Sequence, residues 1–364
     1  EKLPLSRKLK VERGKLKDCR VDFSLPNILN IFDGDFIIDK TKCKTFNQKI
    51  QWIKLYGITD LMRKCTDKVL VRDYVAEKIG SEYLKPVLQI VPREIQQAPH
   101  VIANVTSTTQ VTCGNPADKN LNNTNWLDHH GTVKAVVPRD DCNKYDLQSE
   151  QYKNNDVSTY FDQINFEKLP NSFVIKCNHG CKWQLVIKNK AVLLAAKPIF
   201  EAAKHQITGW LEQEFWTFGG FEMQYKDINP KIIIEPLLRE EINTNPREIE
   251  IYCFNGIPKI YVNVRYSNKR EITYYNEDYS ISDLILHPDG NNEIKEQEPD
   301  NLLKQAVNLS QELSKDFNFV RCDWLIYNNR LYFNELTFTP YSGFIKFDKK
   351  WNRRLGDMMK LPDK

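Results

Sequence analysis

The stretch that decides the fold is Val320–Phe338, VRCDWLIYNNRLYFNELTF. Two runs of strand-forming residues, FVRCDWLIY and LYFNELTF, flank Asn328-Asn329-Arg330. A loop of those three residues sets Asp323 directly opposite Glu335. Side chains alternate along a strand, so Arg321, Asp323, Glu335 and Thr337 then share one face. A two-residue loop would send the two carboxylates to opposite faces, so the facing pair predicts an odd loop count. Two carboxylates with a cation beside them suit Mg²⁺, a hard ion that takes oxygen ligands and keeps its phosphate partners. The competing description is a solvated face. Phe319, Val320, Phe333, Leu336 and Phe338 argue instead for a buried hairpin.

Upstream, two more segments carry chemistry. In NSFVIKCNHG (171–180), Lys176 emerges from an apolar strand, which is costly unless its charge meets a partner such as a phosphate oxygen. The turn after it could add backbone N–H groups. Otherwise Lys176 marks the exposed end of the strand. In KIIIEPLL (231–238), the strand ends at Glu235. The Glu235 carbonyl and the Leu237 N–H could meet the edge of an adenine, with Pro236 removing only the N–H between them. A plain core strand is the alternative.

The rest of the chain orders itself around these. FNQKIQWIKLYG (46–57) carries Ile50, Ile53 and Leu55 at mixed helical spacing and stops at Gly57. TDKVLVRDYVAEKIG (66–80) predicts an amphipathic helix with Asp67 near its start, an apolar stripe of Val71, Tyr74, Val75 and Ile79, and Gly80 as its end. KPVLQIV (85–91) predicts a buried strand. WQLVIKN predicts a second strand after Lys176, and helices are expected at about 191–213 and 300–315. REIEIYCFNG and IPKIYVNVR form a hairpin about Asn255-Gly256, a pair that favours a tight turn. Residues 95–160 are rich in Asn, Asp and Thr and stand apart as an insertion, β-rich or mobile. The run Asp128-His129-His130 inside it reads as a solvated loop before a metal site or base. The first 25 residues form a basic arm or surface helix. Strands mixed with helices, without a βαβ series or internal repeat, give an α+β class.

Bulk properties exclude several functions. The 364 residues suggest two or three structural units, and 41% hydrophobic with 27% charged residues is an ordinary globular composition. A formal charge of +4 is too mild to make nucleic acid or a membrane surface the main partner. No apolar run reaches the roughly 18 residues of a spanning helix. EKLPLSRKLK has no apolar stretch behind its basic residues, so it is no secretion signal, and the missing initiator Met implies an excised or processed piece. Nine cysteines at irregular spacing read as reduced structural thiols of a cytoplasmic protein. Cys177 and Cys181, even with His179, fall short of a zinc site. The glycosylation triplets at Asn104, Asn122 and Asn308 arise readily by chance in an Asn-rich chain.

Taken in order, these segments resemble the ATP-grasp superfamily, specifically its teichuronopeptide-biosynthesis (TupA-like) branch from bacterial surface-polysaccharide loci. The matching stretches are FNQKIQWIKLY, DKVLVRDYVAEKIG, LPNSFVIKCNHG, YKDINPKIIIEPLL, EIYCFNGIPK, FVRCDWLIYNNRLYFNELTFTPYSGF and WNRRLGDMMKLP, within about 45–95 and 160–364. The resemblance implies two α+β lobes gripping ATP, with a mostly helical N-terminal region at 1–94, the insertion at 95–160, a small lobe at 161–238 and a catalytic lobe at 239–364.

It also implies that ATP phosphorylates a carboxylate and an amine displaces the phosphate to form an amide. Lys176 becomes the phosphate-contacting lysine, with His179, Gly180 and Lys182 in the loop that follows. Glu235 to Leu237 become the adenine hinge, and Glu240 or Glu241 a ribose contact. Asp323 and Glu335 become Mg²⁺ ligands, and Thr337 stands where the superfamily often has Asn. Arg321, with Arg265 or Arg270, would neutralise the transferred phosphoryl group or hold an acidic substrate.

The chain departs from the family where a glycine-bearing loop is usual, having Cys181-Lys182-Trp183 instead. The insertion has no counterpart and is assigned to substrate selection. Lys134 is the candidate for a second phosphate-binding lysine. The substrates implied are a small-molecule or glycan carboxylate and an amine or amino acid, with ATP and Mg²⁺. A sugar kinase using the same ATP site, and a non-catalytic nucleotide- or glycan-binding module, are the alternatives.

Overall fold

The computed structural model describes residues 39–92, 158–218, 220–239, 245–267, 269–285, 292–346 and 348–362. By its contacts the chain divides into one unit of residues 1–93 with 157–364 and another of residues 94–156, which lie outside the described residues. The expectations for the basic arm, the Asp128-His129-His130 run, Lys134, Glu240 and Glu241 also fall outside them.

Three short helices lead the described chain, α1 (Phe46–Trp52), α2 (Asp60–Thr66) and α3 (Val71–Ile79). Thr45 and Gln48 satisfy the first turn of α1 by a reciprocal capping box. Phe46, Ile50 and Ile53 are buried, whereas Leu55 is 49% exposed because the chain leaves α1 through a wide π turn at Ile53–Gly57. Asp67 accepts from the N–H groups of Val69 and Leu70 in the turn before α3, and Gly80, at φ 102°, ends that helix.

The next sheet has four strands in the order β1-β4-β2-β3, formed by β1 (Gln89–Pro92), β2 (Phe173–Cys177), β3 (Gln184–Ile187) and β4 (Lys231–Pro236), all antiparallel. The run 85–91 is not a buried strand throughout. Only its end pairs, as an edge strand, and Leu88 and Ile90 stay about two-fifths exposed. Against this sheet lie α4 (Ser158–Asp162), α5 (Lys190–Ala195) and α6 (Lys197–Leu211). The single helix expected over 191–213 is two, because Pro198 fits a first turn but not a helix interior. A short α7 (Phe215–Phe218) follows.

The second sheet has six strands in the order β10-β9-β5-β6-β7-β8: β5 (Arg247–Phe254), β6 (Ile257–Tyr266), β7 (Arg270–Asn276), β8 (Asn292–Ile294), β9 (Phe319–Tyr327) and β10 (Arg330–Thr337). Asn255-Gly256 makes the two-residue turn between β5 and β6, with both residues at positive φ. One face carries Ile249, Ile251, Cys322 and Trp324 onto α8 (Asn301–Ser314), capped by Asp300. The main core joins this sheet to α1–α3, α8 and the last helix, α9 (Lys349–Met358). No helix among the described residues is long and apolar enough to cross a membrane.

The β9–β10 hairpin corrects the loop expectation and keeps the pairing. Tyr327 pairs with Arg330, so the loop is the two residues Asn328-Asn329, both left-handed at φ 49° and 54°. The ladder then slips at Asn334, and Glu335 still faces Asp323. A bulge supplies the odd residue that the loop does not.

Candidate active site

Two groups of buried polar side chains meet between the sheets. The first is built on the four-stranded sheet. Lys176, near the end of β2, donates to Glu235 Oε2 at 2.7 Å, and Lys85 Nζ lies 3.3 Å from the same oxygen. All three side chains are 12% exposed or less. Burial alone would raise the Glu235 carboxyl, but Lys85 and Lys176 overcome it and hold it down at about 2. Burial pushes Lys85 down to about 8, while Glu235 draws Lys176 upward. Two ammonium groups share one carboxylate, so the pocket carries an excess positive charge that an anion would meet.

Lys85 was missed in the sequence, where it opens an apolar run and reads as the start of a strand. It also donates to Asn334 Oδ1 at 2.9 Å, and Asn334 is the bulge residue beside Glu335. The second group begins there. Asp323, Glu335, Arg321 and Thr337 do share a face: Glu335 pairs with Asp323 and Thr337 with Arg321. Arg321 grips both Asp323 oxygens at 2.6 Å, and Thr337 Oγ1 lies 3.1 Å from Asp323 Oδ2 and 3.3 Å from Glu335 Oε1. Burial raises the Asp323 carboxyl to about 8, against the pull of Arg321. On the next strand Glu250 pairs with Asp323 and places Oε2 3.7 Å from Arg321 Nη1. Its signal was legible in REIEIYCF, where Glu248 and Glu250 alternate with buried isoleucines.

The remaining expected residues separate. Arg270 pairs with Tyr266 on the face that carries Glu248, Glu250 and Arg321, and against its burial Tyr266 first, then Glu250 and Tyr341, raise it. Arg265 does not join them. It lies on the opposite face, alternating with Val264 and Tyr266, and meets Asp300 at 3.4 Å at the start of α8. Leu237 follows β4 and is half-buried. His179 is turned toward α6, its Nε2 3.1 Å from the Trp210 carbonyl and its ring edge-on to Trp183. Gly180 is required by that packing, because a Cβ there would sit 2.2 Å from the Trp183 ring. Lys182 is exposed, at φ 61°. Among the described residues no three His, Cys, Asp or Glu converge as a metal cluster, and Cys177 is a fully buried free thiol.

A third network borders the site and had no sequence signal. After β10, Thr339 donates to Glu222 and accepts from Gln224 Nε2 at 2.6 Å. Lys54 reaches Ser342 O, Ser342 Oγ and Gln51 Oε1 at 2.8–3.1 Å. This holds Tyr341 and Ser342, both at left-handed φ near 50°, in a tight turn that leaves Tyr341 41% exposed. Burial raises Glu222 to about 7 and lowers Lys54 to about 8.

Among solved structures, D-alanine–D-alanine ligase from Bacillus anthracis is 17% identical, over 48% of this chain and 47% of that one, with a TM-score of 0.29. A D-cycloserine synthetase is 12% identical over 56% and 61%, also at 0.29, and the Helicobacter pylori D-alanine–D-alanine ligase is 13% identical over 56% and 53%, at 0.27. The chain thus spans about half the length of the ligases it matches. No curated protein matches it. The model of the TupA-like ATP-grasp family matches residues 146–360, over half of the chain and every residue of the two polar groups except Lys85, and by that match the chain belongs to the TupA-like ATP-grasp family.

Proposed function

We propose that the chain is an ATP- and Mg²⁺-dependent carboxylate–amine ligase that makes an amide through an acyl phosphate on a sugar acid, in bacterial capsule, O-antigen or cell-wall polysaccharide. The polysaccharide assignment rests on the family resemblance. The chemistry rests on one observation: a buried pair of lysines sharing one carboxylate faces a carboxylate pair, and Lys85 and Asn334 join the two.

The donor sets suit both groups. Asp323, Glu335 and Thr337 offer only oxygen, as Mg²⁺ prefers, and Lys85 and Lys176 offer the charge a phosphate chain needs. When bound, Mg²⁺ would neutralise charge on the phosphate oxygens. Lys85 and Lys176 hold the phosphates in a site where water is largely excluded, so their charge acts at low dielectric. The backbone from Glu235 to Leu237 takes the adenine edge, while the Glu235 side chain fixes the lysines. Arg321 and Arg270 share the face that continues away from the metal side across β5 to β7, and they receive the substrate carboxylate and the transferring phosphoryl group. One substrate carboxylate oxygen takes the γ-phosphoryl group as ADP leaves. The amine nitrogen then bonds to the carbonyl carbon, inorganic phosphate leaves, and the nitrogen loses a proton.

The test supplies ATP, Mg²⁺, glucuronic acid and a mixture of amino acids. A ligase releases inorganic phosphate with ADP only when the amine is present, whereas a sugar kinase leaves phosphate on the acceptor. Asp323→Asn and Glu335→Gln should each lower turnover about 100-fold or more with the fold intact. Phosphorylated sugar, or Mg²⁺-dependent ATP binding that survives both substitutions, would overturn the ligase assignment.

A further inference from the structure

Glu335, Asp323 and Glu250 lie abreast on β10, β9 and β5, one carboxylate per strand on one face. Neighbouring strands are about 4.8 Å apart, so Asp323 stands between two other acids. Arg321 reaches across this row. Its Nε and Nη2 take Asp323 Oδ1 and Oδ2 at 2.6 Å each, its Nη1 is 3.7 Å from Glu250 Oε2, and its Cζ lies 5.8 Å from the centre of the Tyr252 ring.

That geometry conflicts with metal ligation. The guanidinium donates to both Asp323 oxygens and Thr337 donates to Oδ2, so of the four lone pairs of this carboxylate only one, on Oδ1, stays open to a metal. Mg²⁺ demands oxygens at about 2.0–2.1 Å in octahedral array, and a guanidinium in the same place is repelled by the ion. Fuller ligation by Asp323, and relief of the repulsion between the ion and an adjacent guanidinium, both favour Arg321 leaving Asp323. It cannot leave for water at little cost, since its side chain is 11% exposed and an unpaired buried charge is strongly unfavourable. Glu250 stands on its other flank, 14% exposed, close enough for ion pairing but too far for a hydrogen bond. A shift of roughly 1 Å over the Tyr252 ring would close that bond.

We propose that Arg321 transfers from Asp323 to Glu250 when Asp323 becomes a magnesium ligand, so that Glu250 is the positioning residue that receives the guanidinium and frees the metal site. This rests on the reading that Asp323 and Glu335 hold Mg²⁺. Glu250 touches neither metal nor nucleotide and acts through Arg321. Glu248, two residues away on the same face, pairs across to Leu325 and Val264, further from the Arg321 row, and does not substitute for it.

The full chain is titrated with Mn²⁺ in the presence of ADP, with free metal read by electron paramagnetic resonance. Glu250→Gln leaves Arg321 on Asp323 and weakens Mn²⁺ binding about tenfold, the effect expected of a residue that orients a ligand from behind. ADP affinity without metal and the circular dichroism spectrum stay as in the parent, and Glu250→Asp restores part of the metal affinity. A merely structural Glu250 would lower stability and shift both affinities together. Parent-like Mn²⁺ affinity in Glu250→Gln overturns the proposal. So does a crystal structure of the parent with Mg²⁺ and ADP in which Arg321 still grips both Asp323 oxygens. If the parent binds neither ADP nor Mn²⁺, the nucleotide site itself fails and the transfer with it; if it binds both and Arg321 stays, only the transfer fails.

Discussion

Replacing Glu235 with Gln removes the one carboxylate that two buried lysines share and leaves the side chain's size unchanged. The folded protein holds this carboxyl at about 2 against an ordinary 4.5. That depression, at about 1.4 kcal/mol for each tenfold change in proton affinity, corresponds to roughly 3 kcal/mol of stability at neutral pH. Breaking a buried pair by deleting one partner independently gives about 3–5 kcal/mol. Lys85, already lowered to about 8, would relieve part of the cost by losing its proton, so the lower end is expected. Because the folded carboxyl is depressed, its contribution is complete above about 4.5 and fades as pH falls toward 2. The measurement is the urea midpoint followed by tryptophan fluorescence, for parent and Glu235→Gln, at pH 7.5 and at steps from 5 down to 2.5. The gap should be near 3 kcal/mol at pH 7.5 and shrink steadily below pH 4.5. A gap under about 1 kcal/mol at pH 7.5, or one independent of pH across that window, would refute the idea that the lysines need this carboxylate.

Glu222 behaves in the opposite sense. Burial raises it to about 7 from 4.5, so the folded state keeps a proton that the unfolded chain releases, and stability falls as pH rises from about 4.5 to about 7. Glu222→Gln, which can still accept from Thr339, should flatten that part of the plot of melting temperature against pH, with parent and variant differing by at most ~3 kcal/mol. Gly180→Ala drives a methyl into the Trp183 ring and should cost about 1–3 kcal/mol, read from the urea midpoint together with a red shift of tryptophan emission as Trp183 loses its stack on Trp210.

Much of the frame was legible because it depends on local periodicity. The alternation in REIEIYCF and FVRCDWLIY marks strands with one acidic face, and Asn255-Gly256 and Gly80 punctuate elements as their backbone needs predict. Illegible were the contacts that depend on chain segments far apart in sequence. Lys85 precedes Glu235 by 150 positions, and nothing local says that a lysine opening an apolar run lies beside it. Lys54 meets Ser342 across 288 positions, for the same reason. The choice between Arg265 and Arg270 was open for a different reason. Their separation in sequence is odd, so across the β6–β7 turn their faces could be assigned only once the register was known, and Tyr266 rather than Arg265 pairs with Arg270.

The hairpin shows how local and functional requirements were reconciled. Asn328-Asn329 suits a left-handed two-residue turn, whose twist matches the strands it joins, and that turn by itself sends Glu335 to the apolar face. A facing carboxylate pair needs one residue more, and the extra residue sits in the strand at Asn334, away from the turn. The position matters. An extra residue in the loop would have weakened the turn and left Lys85 without Asn334 Oδ1. Placed beside Glu335, the same residue turns that acid toward Asp323 and accepts from Lys85, one of the two lysines that share Glu235. The two charged halves of the site are therefore held at a fixed spacing by one bulge, so a change in its length would disturb the acids and the lysines together.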